Sequence, residues 1–171
     1  MPEQNRGELR HYLAKTTAGP FNRMAEGITS LAGNLNAQEV TRTYINDSSS
    51  TTTTGFQEEW PYDGNIFAGD PVMDLLHEQA VNRSKGEEAL LYMVNAFMWK
   101  PGTTANSVKG YRQRVTNLPA SDGGGDGGGD VTFSGTLRAA GAPEYGEIVI
   151  TPATGSTPET ATFTPDSELV P

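Results

Sequence analysis

Few side chains in this 171-residue chain have the types and spacing that do chemistry. The two histidines are His11 and His77. Neither has an Asp or Glu placed to complete a triad or a zinc site, so both read as surface residues. Asp122, Asp126 and Asp130 recur within SDGGGDGGGD and raise the question of a calcium loop. The helix-loop-helix calcium loop needs a further carboxylate at its far end, and the β-helix type comes in arrays, so this segment reads as a linker. It is not a phosphate cradle either, because no Lys-Ser or Lys-Thr follows and a strand comes next. Glu58-Glu59 and Glu87-Glu88 are adjacent, and neighbours on a strand face opposite ways, so neither pair is a shared-proton dyad. Lys109, Arg112 and Arg114 surround Tyr111 on one polar strand. Phosphate contact is one use for them; pairing with acidic segments of the same or a neighbouring chain is the preferred one. No catalytic residue, cofactor site or metal site emerges, and an enzyme is the least supported class.

The elements that would carry these groups are mostly strands. Apolar residues are 35% of the chain, with 20 Gly and 11 Pro, a mix that favours short strands and turns over a helical bundle. One domain over 1–171 is expected. An N-terminal arm is expected over 1–20, then a turn-rich stretch, then a strand over 37–46. Residues 47–69 read as a loop: DSSSTTTTG has nothing to bury, and the following segment is broken by Pro61 and glycines. That segment carries Phe56, Trp60, Tyr62 and Phe67, an aromatic load on irregular backbone that a neighbouring subunit would have to cover. The competing expectation is an ordinary surface loop whose aromatics pack on their own domain.

One helix is expected. Asp70 suits an N-cap and Pro71 the first helical position; Val72, Leu75, Leu76 and Ala80 form one apolar face, and Gly86 closes the far end. Residues 88–99 are apolar on both faces, as a strand buried on both sides would be, with a helix as the alternative. Strands follow over 105–118, after a flexible connection 121–130 at DVTFSGTLRA (130–139), and at EYGEIVITP and ATFTP, with a loose tail at 166–171. The expected fold is mostly β, two packed antiparallel sheets as a β-sandwich or barrel with one flanking α-helix and extended loops and arms.

Charge is uneven. The total is −9, yet residues 56–90 hold eight acids against Arg83 and Lys85, and residues 91–120 hold Lys100, Lys109, Arg112 and Arg114 and no acid. A net acidic chain is a poor general binder of nucleic acid, and blocks of opposite sign permit head-to-tail contact between copies. With no cysteine there are no disulfides or thiolate sites. There is no apolar run of signal-peptide or bilayer length, so no membrane partner is expected.

The order of motifs resembles the major tail tube proteins of long-tailed bacteriophages with flexible, non-contractile tails. The likeness runs over about residues 10–165. It is carried by His11-Tyr12-Leu13, Glu26-Gly27-Ile28-Thr29-Ser30-Leu31, Asn36 before a strand ending Thr43-Tyr44-Ile45, and a Ser/Thr-rich loop into Gly55-Phe56. Gly69-Asp70-Pro71-Val72, Asp130 to Leu137, Tyr145-Gly146 and Phe163-Thr164-Pro165 complete it. The resemblance implies a sandwich with a flanking helix, hexameric rings stacked into a tube, and a lumen that holds the tape-measure protein and then conducts double-stranded DNA. Tail terminator and tail-tip proteins are the further partners implied, and the location is the virion after synthesis in the host cytoplasm. The alternatives are a type VI secretion-like tube subunit, another tail component, and a carbohydrate-binding or adhesion module using surface aromatics such as Trp60 and Trp99.

Overall fold

The computed structural model describes residues 5–44 and 47–166. The chain is mostly β, with a single α-helix among the described residues. Its strands are β1 (Leu9–Ala14), β2 (Phe21–Arg23), β3 (Ile28–Leu31), β4 (Ala37–Tyr44), β5 (Asp47–Phe56) and β6 (Glu59–Asn65). After α1 (Pro71–Val81) come β7 (Leu90–Pro101), β8 (Ser107–Gly124), β9 (Thr132–Ala139), β10 (Glu144–Thr151) and β11 (Thr160–Pro165).

All named strand pairs are antiparallel. The order β10-β11-β2-β1-β7-β8 closes on itself because β8 also pairs with β10, giving a six-stranded barrel. Beyond β8 the sheet continues as β9-β6-β3. The length of β8 makes both possible. One edge of its first half takes β10, with Arg112 opposite Glu144, and the same edge of its second half takes β9, with Val115 opposite Ala139.

This layout gives two cores, and β7 serves both by alternation. Val94 and Ala96 lie in the barrel core with Tyr12, Phe21 and Ile148. Leu91 and Met93 face the other way, into a core with Leu13, Leu137, Met73 and Leu76 under the helix. Within residues 88–99, the two apolar faces from Leu90 onward are thus the two faces of one strand, and only Glu88 and Ala89 lie in a short 3-10 turn before it.

The helix begins as expected. The Asp70 carboxylate accepts from Val72 N at 2.8 Å and Met73 N at 3.1 Å, satisfying two backbone donors that the helix cannot. Val72 and Leu76 are buried, but Leu75 is only half-buried and Met73 takes the deep position instead, so the buried face is turned slightly from the expected one. The helix also stops before Gly86. Arg83 adopts φ 50°, Arg83 N donates to Ala80 O and Ser84 N donates to Gln79 O, a six-residue C-cap usually built on glycine.

Several expectations are corrected. The arm 1–20 contains β1, which lies between β2 and β7 and is buried through its second half. Residues 47–69 are not a loop: β5 pairs with β4 in a hairpin, and β6 sits between β9 and β3. Pro61 is tolerated because its carbonyl accepts from Ala32 N at 3.4 Å, which aims its missing donor at β3 and away from the β9 ladder. The connection 121–130 is shorter than expected, since β8 runs through Gly124, and Val131 is exposed while Phe133 and Leu137 are buried. Of the tail 166–171, only Asp166 lies within the described residues.

Candidate assembly surface

The four aromatics proposed for assembly separate into two kinds. Trp60 and Tyr62 point from β6 into the core beneath the helix and are 4% and 1% exposed. They pack on their own domain, so they are not the interface residues the sequence suggested. Tyr62 Oη donates to Asn117 Oδ1 at 2.9 Å, and Asn117 Nδ2 donates to Gln79 Oε1 at 3.0 Å. Burial pushes the Tyr62 phenol up to about 12. Gly135 makes room for that hydroxyl, since a Cβ there would collide with it. Phe56 and Phe67 remain open at 59% and 53% exposure. Buried Trp60 is unavailable for stacking on a sugar, whereas Trp99, the other tryptophan of the carbohydrate reading, is exposed.

His11 is also corrected. It lies on β1 directly opposite Asn95 on β7, is buried, and hydrogen-bonds through Nδ1 to the Asn95 carboxamide oxygen. Burial pushes its pKa down to about 4. A neutral ring with Nδ1–H donating to Asn95 leaves Nε2 as an acceptor. His77 is half-buried on the helix, with Nε2 against Asp122 O at 3.0 Å.

What sequence reasoning missed is a surface on the outer side of β7, β8 and β10. Four rings form a row there: Trp99 and Phe97 at 5.3 Å, Phe97 and Tyr111 at 6.0 Å, Tyr111 and Tyr145 at 6.0 Å. Period-two spacing of Phe97 and Trp99, with Tyr111 and Tyr145 in facing strands, was the available signal. Leu35 and Phe56, exposed at the root of the β4–β5 hairpin, border a groove of about 810 Å³ that ends on Tyr145. A second cavity of about 390 Å³ adjoins Leu35 and is floored by His11 and Asn95 beside Phe97 and Tyr111, with Arg6 on its wall. Two carboxamide atoms beneath this surface are buried and unpaired: Asn95 Nδ2 and Gln113 Oε1. Lys100 stands over the Phe97 ring at 5.2 Å.

The basic strand is divided by its pleat. Arg112 pairs with Glu144 and covers the Phe163 ring at 4.7 Å, Lys109 pairs with Asp166 at 3.1 Å, and Arg114 donates to Ala140 O. Lys109 and Arg112 thus pair with acids of the same chain, as preferred, while exposed Arg114 bonds a backbone carbonyl and not an acid. Among the described residues no group of acidic and histidine side chains could hold a metal ion, and no helix is long and apolar enough to cross a membrane.

No protein-family profile and no curated protein matches the chain. Solved structures do. A chain from the tail of an empty gene transfer agent particle, refined with C6 symmetry, is 16% identical, with a TM-score of 0.61 over 84% of this chain and 98% of that one. A chain from the native gene transfer agent virion is 15% identical, with a TM-score of 0.57 over 84% and 98%. A chain from the six-fold symmetrised anti-feeding prophage baseplate is 11% identical, with a TM-score of 0.51 over 85% and 95%. The chain shares its fold, a barrel with an extended sheet and one capped helix, with protein subunits of phage-like tail and baseplate particles.

Proposed function

We propose that this chain is a non-enzymatic structural subunit of a phage-type tail tube, forming hexameric rings that stack around a lumen. The observation that carries the reading is the near full-length fold likeness to a subunit of a C6 tail. Three features of the chain support it. Trp99 and Tyr145 at the two ends of the aromatic row, and Leu35 and Phe56 at the hairpin root, are exposed apolar side chains that a neighbouring copy would cover. The β4–β5 hairpin pairs only with itself among the described residues, and a two-stranded hairpin alone is marginal in water. Phe56 at its root, and Phe67 before the helix, are open for contact with a neighbouring copy.

In this reading the hairpin is ordered by the adjacent subunit, and the lumen holds a tape-measure protein and later passes double-stranded DNA. An acidic lumen would keep DNA from adhering, since like charges repel. Tail terminator and tail-tip proteins would bound the tube, and the location would be the virion after synthesis in the host cytoplasm. A second reading, a tube-like ring within a baseplate or a type VI secretion-like tube, is favoured by the baseplate neighbour.

Antibody labelling of particles separates these readings. Antibody against the chain should decorate tails along their whole length. Decoration of the tip alone would move the chain to the baseplate, and unlabelled particles would remove it from the virion.

A further inference from the structure

The aromatic face and the helix are of opposite character. α1 carries Asp74 and Glu78 on its exposed side and no Lys or Arg; exposed Phe67 precedes it and exposed Val81 is its last residue. Neither acid makes an ion pair among the described residues. The aromatic face presents two cations that likewise have no carboxylate partner there: Lys100 over Phe97, and Arg6, which donates only to Leu9 O and Leu31 O. Further along the same strands, beneath the face and opposite His11, lies Asn95 Nδ2, a donor without an acceptor on a residue 1% exposed.

We propose that the partner of this face is the acidic side of α1 from a second copy of the chain. Asp74 and Glu78 are one helical turn apart on one side, so their carboxylates can address two cations at once. Phe67 and Val81 would then cover the aromatic row from either end of the helix. The contact is heterologous, helix of one copy on barrel face of the next, which is the arrangement that closes into a ring when the rotation permits. It deepens the tube reading by naming the two surfaces that meet.

The test is zero-length carbodiimide coupling of Lys to Asp or Glu in a mixture of light and nitrogen-15-labelled protein, followed by peptide mapping. The expected result is an intermolecular link from Lys100 to Glu78 or Asp74. Lys100→Arg should abolish that link, because arginine is not coupled, while leaving self-association intact. Glu78→Lys should weaken self-association in sedimentation several-fold, and mixing it with Lys100→Glu should restore it. All three are exposed-site changes that should leave the melting temperature unmoved. Lys100 linked only within its own chain, linked to other acids, or not linked at all would overturn the proposal, as would failure of the mixture to recover. Tubes in the microscope without this link would leave the tube reading standing and remove this pairing; the link without tubes would do the reverse.

Discussion

Truncating Leu76 to alanine tests the packing of the helix most sharply. Leu76 is fully buried, in the core that joins α1 to Leu91, Met93, Val115 and Leu137. The helix is held by little else. Its N-cap is local, and its main long-range polar tie is Gln79, which donates to Glu88 O at 2.8 Å and accepts from Asn117. Losing three buried carbons costs the transfer term and leaves a cavity, together about 2–5 kcal/mol. A site walled by strands on one side and a capped helix on the other collapses poorly, which points to the upper half of that range. For a domain of this size each kcal/mol lowers the melting point by about 2–4 °C, so a drop on the order of 10 °C is expected. The assay is a thermal melt with a parallel urea titration to confirm an unchanged slope. Half-buried Leu75 should cost clearly less than Leu76, although the sequence alone ranks them equally. An unmoved midpoint for Leu76→Ala, or a larger loss at Leu75, would refute the placement of the helix.

Tyr62→Phe should destabilise by about 1–3 kcal/mol in urea titration, because it strands Asn117 Oδ1 in the core. His11 is held neutral in the fold well below its ordinary pKa, so the unfolded chain takes up the proton first as pH falls. Stability is therefore full above about pH 6.5 and falls between there and about pH 4, by roughly 3 kcal/mol if His11 acts alone; His11→Gln should flatten that window. The Glu147 carboxylate accepts from Ser107 Oγ, Thr103 N and Thr104 N, and these bonds, Ser107 first, hold its pKa down to about 2. A Cβ on Gly102 would collide with that carboxylate, so Gly102→Ala should return the Glu147 titration toward the ordinary carboxylate range in NMR.

The parts of the fold that were legible are those where local chemistry and burial agree. Asp70-Pro71 starts the helix because the cap and the fixed φ act within one turn. The doubled apolar pattern of residues 88–99 marks a strand between two cores. The parts that were not legible depend on distant partners. DSSSTTTTG reads as a loop when apolar content is the criterion, yet threonine is a good strand former and the segment pairs with β4. Pro61 signals a break until the strand on each side of it is known. The depth of His11 depends on Asn95, 84 residues away. The aromatic surface escaped for the same reason: its rings come from three strands, and only the register of β7, β8 and β10 puts them in a row.

The assembly claim is tested most directly by negative-stain microscopy of the purified protein over a concentration series, with light scattering on the same samples. Six-fold rings, stacking into tubes as concentration rises, are the predicted result. A strict monomer at every concentration and salt level, with no ring in any field, would contradict it.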